Sequence, residues 1–298
     1  MEDLCTFVSS RGLLKSCTIH SQNPKSSCDS DIAHLENMDQ RDNMSIYVCS
    51  DGLRRFVDDF LPKIHCAFYL VSGDSDLEVP SEVLSSEQFK TLVTNTNLIQ
   101  WFAQNLSLRN FPKVKNLAIG LDYHTIGKEP DHWWRIQETE GYLPTDQESL
   151  LRSLARSAAP VHKRIMQIFS NVHWKLDRYG DRHEAIHTIP EHLLVQSPGH
   201  YRRSHTWIEN CRYAFVLSPY GNGFDCHRTW EAVCLGAIPI VKAPHFDELF
   251  KGLPVLNVKE WSDVNEELLR KTIDEFKTRK FDYEKLNLAY WVDQFNPK

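Results

Sequence analysis

The sequence predicts an α/β protein built on parallel sheets and divided into two domains. First, short apolar runs of strand length alternate with helically spaced segments from residue 45 onward, as in parallel strands joined by crossover helices. Second, the alternation weakens across residues 127–160, where Pro130, Trp133, Trp134 and Pro144 mark an irregular connection. Third, residues 212–242, RYAFVLSPYGNGFDCHRTWEAVCLGAIPIVK, compress strand, glycine-containing loop, short helix and strand into one unit. Parallel sheets bind ligands outside the carboxyl ends of their strands. The polar residues of this unit gather at that edge.

The elements follow in order. Residues 1–43 are polar, with Ser, Asn, Asp and Cys throughout, and are expected to form a loosely structured arm or one short strand. The first domain, 44–126, opens with a strand at 45–49, then Ser50-Asp51-Gly52 and helical periodicity over 53–61. CAFYLV at 66–71 reads as a buried strand ending at Ser72-Gly73-Asp74-Ser75-Asp76. A helix at 86–92 and strands at 98–102 and 114–119 complete this domain, which ends with Asp122 and His124. The linker, 127–160, carries a helix over 147–157. The second domain, 161–280, starts with a strand at 163–170 and a helix near 181–188. A short strand at 193–196 and a helix around 200–210 lead into the 212–242 unit. There Tyr213–Leu217 is a strand, 218–223 a turn, 225–235 a helix stopped at Gly236, and 237–241 a second buried strand. A strand at 255–258 and an amphipathic helix at 264–277 follow. The last segment, 281–298, is helical over 283–295.

At 298 residues the chain is long enough for two ordinary domains. No apolar run approaches membrane-spanning length, and the N-terminus lacks the apolar core of a secretory signal. A cytoplasmic location is therefore expected. The net charge of −6 argues against nucleic acid or an anionic membrane as the main partner. The eight cysteines are scattered and form no C-x-x-C pair, which argues against zinc and for reduced thiols.

In the 212–242 unit the two glycines let backbone amides approach an anion, and a helix N-terminus adds partial positive charge. Arg228 offers a guanidinium with bidentate phosphate geometry. Glu231 shares its helix face and could accept from a ribose diol. Together Ser218, Gly221, Gly223, Asp225, His227, Arg228 and Glu231 suit a nucleoside diphosphate. Each has a plainer alternative. Arg228 and Glu231 could form an ordinary i, i+3 ion pair, Asp225 could cap the helix, and His227 could be a surface histidine. The glycine loop and the buried strands on either side favour donor binding for the arginine and glutamate.

The same unit resembles the nucleotide-sugar signature of exostosin-like (GT47-type) glycosyltransferases, F-x-L-x-P-x-G, Asp, Arg, then E-A-x-x-x-G-x-I-P-[IV]. Phe215, Leu217, Pro219, Gly221, Asp225, Arg228, Glu231, Ala232, Gly236, Ile238, Pro239 and Ile240 fit it. A looser likeness runs from Met44 to the C-terminus. Within it, IGLDYHT at 119–125 and VSGDSD at 71–76 are similar to segments of small soluble family members from algae and their large DNA viruses. The resemblance implies a GT-B fold, with two Rossmann-like lobes whose parallel sheets face an interlobe cleft and a C-terminal helix crossing back to the first lobe. It also implies an inverting transfer from a nucleotide-diphosphate sugar, a UDP-sugar such as UDP-xylose, to a hydroxyl of an oligosaccharide or glycoprotein. No cofactor or metal would be required. Homo- or heterodimers are compatible with it.

GT-B enzymes bring polar loop groups to the pyrophosphate after the first strand of the second lobe, the place held here by Ser170 and Asn171, with Arg178 and Arg182 following. Both arginines could equally be surface charges. An inverting transfer needs a base near the acceptor hydroxyl. Asp122 and Asp74, each after a buried run, rank first, with His124 and Asp51 also eligible. A rival reading takes Asp74 and Asp76 as a D-x-D metal site. A second rival is a non-catalytic sugar- or nucleotide-binding subunit of a partner enzyme.

Overall fold

Six consecutive buried residues make β1, Met44–Cys49, and the runs 213–217 and 238–241 are likewise buried from end to end, as strands covered on both faces are. The computed structural model describes residues 1–129, 132, 134, 141–173, 175, 177–199, 201–242 and 247–296. Pro130 and Trp133, assigned to the irregular connection, lie outside them. The chain opens with helix α1, Ser10–Ser16, capped by the Ser9 side chain accepting from the Gly12 amide. After β1 comes α2, Leu53–Arg55, which continues as a π-helical turn over Phe56–Phe60. Then follow β2 (Phe68–Gly73), α3 (Ser86–Thr94), β3 (Leu98–Ala103), β4 (Val114–Asn116) and a short α4 (His124–Lys128). Helix α5, Pro144–Ser157, leads on to β5 (Ile165–Ser170), α6 (Asp181–Thr188), β6 (Leu194–Gln196) and α7 (Arg203–Arg212). The signature unit forms β7 (Tyr213–Leu217), α8 (His227–Cys234) and β8 (Ile238–Val241). The chain ends with α9 (Asp247–Phe250), β9 (Leu256–Asn257), α10 (Glu266–Thr278) and α11 (Leu288–Phe295).

The strands form two sheets, parallel in every pairing: four strands in the order β1-β2-β3-β4, and five in the order β6-β5-β7-β8-β9. The protein is thus α/β with two parallel sheets, each the centre of a lobe. Among the described residues no helix is long and apolar enough to cross a membrane.

Several boundaries differ from expectation for local reasons. The strand expected at 114–119 pairs only as far as Asn116. The helix expected at 225–235 starts at His227, because Cys226 is still extended. The segment 283–295 breaks at extended Asn287 into a 3-10 turn, Glu284–Leu286, and α11.

The largest departure is the start of the N-terminal arm, which is helical, whereas residues 17–43 are irregular apart from a 3-10 turn at Ala33–Leu35 and a bridge from Ile19 to Ile46. Its α1 buries Leu13 and Leu14 in a core shared with Tyr47 and Phe102 of the first lobe, Trp207 and Trp230 of the second, and Trp291 and Phe295 of α11. Backbone bonds lock it in place: Val8 N–H donates to the Leu286 carbonyl, Leu121 N–H to Val8, and Leu288 N–H to Thr6, each at 2.8 Å. Helix α11 lies against the first lobe, with the Phe295 ring edge-on to Phe102 at 5.9 Å. Arg11 is only 2 % exposed, and its Nη2 lies 2.9 Å from Asp74 Oδ2.

Losing one member of a buried pair leaves the other charge uncompensated. Arg11→Ala is therefore expected to destabilise the fold by about 3–5 kcal/mol in urea unfolding. A change within about 0.5 kcal/mol, the range of an ordinary surface substitution, would mean that the arm is dispensable.

Candidate functional site

A cavity of about 430 Å³ opens between the lobes at the carboxyl ends of the second sheet's strands. Asp76, Ile119 and Thr125 reach it from the first lobe, and Asn171, Arg182, Glu231 and residues 221–223 and 225–228 from the second. The seam beside it is tightly bonded. The Asp225 amide donates to Asn105 Oδ1 at 3.0 Å, and the Asp225 carboxylate accepts from the Ile119 amide at 2.8 Å. His227 Nδ1 lies 2.7 Å from the Gly120 carbonyl oxygen. Two glycines follow from crowding rather than from an unusual φ. A Cβ on Gly221 would lie 2.6 Å from Arg182 Nη2, and one on Gly223 would lie 2.9 Å from Asn105 Nδ2.

Two guanidiniums converge on this space. Arg182 is buried and donates through Nε to the Tyr220 carbonyl and through Nη1 to that of His173. Burial and the nearby Arg228 charge push its pKa down to about 10. Arg228 donates through Nε to Asn171 Oδ1 at 3.2 Å, while its buried Nη1 has no partner among the described residues. Neither arginine forms an ion pair with a carboxylate among the described residues. Cys226, His227 and Arg228, at the start of α8, border the same space, and no side chain caps that helix. The arrangement can hold a multiply charged anion. The loop amides contribute less than the sequence suggested, since Gly221 N–H is spent on the Gly223 carbonyl and Tyr220 N–H on Asp181.

The nine residues expected to bind donor divide accordingly. Gly221, Gly223, Asp225, His227, Arg228, Glu231 and Arg182 all line the cavity. Asp225 neither caps α8 nor offers its carboxylate to a ligand, because both oxygens also accept from the Trp230 indole at 2.9 and 3.0 Å. Ser218 turns inward, its Oγ 2.8 Å from Thr229 Oγ1. Ser170 lines a neighbouring cavity of about 250 Å³ that shares Trp134, Asn171 and His173 with the main one. Arg228 and Glu231 do not pair. Glu231 Oε1 lies 3.6 Å from Arg203 Nε instead.

The expected bases fare differently. Asp74 is buried against Arg11 and accepts from Ser26 Oγ, so it does not line the cavity. Asp122 is 4 % exposed, with Arg203 Nη2 at 3.2 Å from Oδ2 and His124 Nδ1 at 3.0 Å from Oδ1. Burial alone would raise its pKa. His124, Arg203, His227 and the Thr125 amide outweigh that and hold it well below the usual carboxylate range. A carboxylate so stabilised is a poor proton acceptor. His124 sits behind the cavity wall, and burial pushes its imidazole down despite Asp122. Asp51 lies beside Cys49, away from the cavity. Asp76 alone of these carboxylates reaches it.

Sequence reasoning missed Arg203. Only 2 % exposed, it donates to the Asp122 carbonyl and, at 3.2 Å, to Gln147 Oε1, and its guanidinium lies 4.6 Å from the Trp134 ring centroid. It reads as a surface charge because its partners are remote in sequence. Asn105 was missed for the same reason, and Asn171 was noted only as a neighbour of Ser170. A scan against protein-family models finds no match to this chain, and a search of curated proteins also returns none.

Burial pushes the Asp225 carboxyl up to about 6, against the Ile119 amide, the Trp230 indole and His227. An unfolded Asp titrates near about 3.9, so folding takes up a proton between these values. That stabilisation is full below about pH 4 and lost as pH rises through about 6. Asp225→Asn stays neutral and keeps an acceptor oxygen. Relative to wild type, it should gain about 1–3 kcal/mol between pH 4 and 7, measured by urea unfolding at both pH values. A pH-independent difference would show that folding leaves the Asp225 pKa unshifted.

Proposed function

We propose that the chain is an inverting glycosyltransferase of GT-B type, moving a sugar from a nucleoside diphosphate donor, a UDP-sugar such as UDP-xylose, to a glycan hydroxyl. One observation carries the reading: two arginines without carboxylate partners among the described residues, Arg182 and Arg228, face one interlobe cavity beside an uncapped helix N-terminus. Holding two like charges there is unfavourable unless an anion completes the site. The resemblance to exostosin-like signatures supplies the class of anion.

In this reading the diphosphate lies between Arg182 and Arg228, and Glu231, oriented by Arg203, accepts from the ribose hydroxyls. Charge builds on the diphosphate as the bond to the anomeric carbon breaks. Preformed donors aimed at that charge lower the barrier. The acceptor enters from the first-lobe side, past Asp76 and Thr125. The D-x-D alternative loses one of its two carboxylates, since Asp74 is taken by Arg11. A non-catalytic subunit would bind nucleotide without turning donor over, and turnover separates the two.

A panel of UDP- and GDP-sugars, assayed for acceptor-free hydrolysis alongside calorimetric UDP binding, tests the class. Binding with slow release of sugar is the expected outcome. Failure to bind any nucleotide would overturn it. Arg228→Ala should lower kcat/KM roughly tenfold to a few hundredfold, as befits a charged hydrogen bond of about 1.5–3 kcal/mol. Arg228→Lys should recover little, because a point charge cannot replace a planar fork. Hydrolysis should survive EDTA. Complete loss, restored by Mn²⁺ and abolished by Asp76→Asn, would return the metal-dependent mechanism.

A further inference from the structure

We propose that His227 is the general base of the transfer, taking the acceptor's proton at Nε2; this rests on the glycosyl-transfer reading above. A carbonyl oxygen can only accept, so the 2.7 Å contact between Nδ1 and the Gly120 carbonyl places the ring proton on Nδ1. The neutral imidazole then carries its lone pair on Nε2, which has no partner among the described residues. The residue itself borders the cavity next to Arg228. Gly120 belongs to the first lobe and His227 to the second, so the tautomer is fixed only when the lobes meet.

The other eligible groups are less suited. Asp74 and Asp122 are committed to buried arginines, and His124, whose Nδ1 faces Asp122, does not border the cavity. Asp76 reaches the cavity, but it lies within the field of Arg182. Imidazole is the side chain that ordinarily titrates nearest neutrality, where a general base is most effective. The charged or titratable groups around His227 are Asp122 and His124 from the first lobe, with the His124 ring edge-on at 6.5 Å, and Asp225 and Arg228 from its own segment. In the step, the acceptor O–H proton passes to Nε2 as that oxygen bonds to the anomeric carbon. The carbon–oxygen bond to the diphosphate breaks, and its electron pair leaves with the diphosphate. The imidazolium afterwards returns its proton to solvent. In acceptor-free hydrolysis, water takes the acceptor's place.

His227→Asn separates this role from a structural or phosphate-binding one, because the Asn amide can still donate to the Gly120 carbonyl where Nδ1–H did. The variant should melt like wild type and bind UDP within about twofold of wild type, while kcat for hydrolysis of the best sugar nucleotide falls about 10²–10⁴-fold. The acid limb of the wild-type kcat–pH profile should disappear with it. A variant that keeps its kcat overturns the proposal, and so does one that loses UDP affinity in step with kcat. Normal turnover in His227→Asn together with collapse in Asp76→Asn moves the base to Asp76. A wild-type chain that binds UDP but hydrolyses no donor overturns the base while leaving the nucleotide site standing. A chain that binds no nucleotide overturns both.

Discussion

Arg203 is the charge around which the two sheets are assembled. Its guanidinium reaches Asp122 at the end of the first lobe, Gln147 on α5 and Glu231 on α8, with the Trp134 ring over one face. Isolated, a buried guanidinium would be prohibitively costly; surrounded by two carboxylates and an amide oxygen it is satisfied. The neighbouring geometry follows from this one group. Asp122 is held ionised and turned inward. Glu231 is drawn away from Arg228, three positions earlier on the same helix, and that leaves Arg228 with its unpartnered nitrogen.

The strands were legible because a strand covered on both faces must be apolar, and runs such as Tyr213–Leu217 and residues 66–71 leave few alternatives. The cavity-facing arginine and glutamate of α8 were legible because helix spacing puts them on one face beside a turn. Helix α1 was not. Ser10, Arg11 and Ser16 make its sequence look polar, yet Arg11 is buried by a partner in the 71–76 turn. The role of Asp225 was hidden in the same way, since the amide it accepts from is 106 positions away. Sequence spacing reports what a residue can do locally. It does not report which distant partner will claim it, and here such partners removed both carboxylates ranked first as bases.

The cavity departs from what would stabilise the fold alone. Placing buried Arg182 beside half-buried Arg228, with no carboxylate between them among the described residues, opposes stability, and a lowered Arg182 pKa is the electrostatic expression of that cost. Proteins retain such local conflicts where a ligand resolves them. An anion bound there stabilises the fold in proportion to its own binding free energy, so ligand and fold are thermodynamically linked.

The union of chain ends in the central core has a consequence for how the protein is made. Helix α1 leaves a ribosome well before the Leu286 carbonyl, the Leu288 amide and the Phe295 ring that enclose its site, which lie far along the sequence. Contacts of such sequence separation raise the topological cost of folding and slow it. The first sheet can pair early, whereas its covering by α1 and α11 together waits until α11 has been made. Until then the apolar faces of Tyr47 and Phe102 lack their α11 partners, a state in which nascent chains are prone to associate.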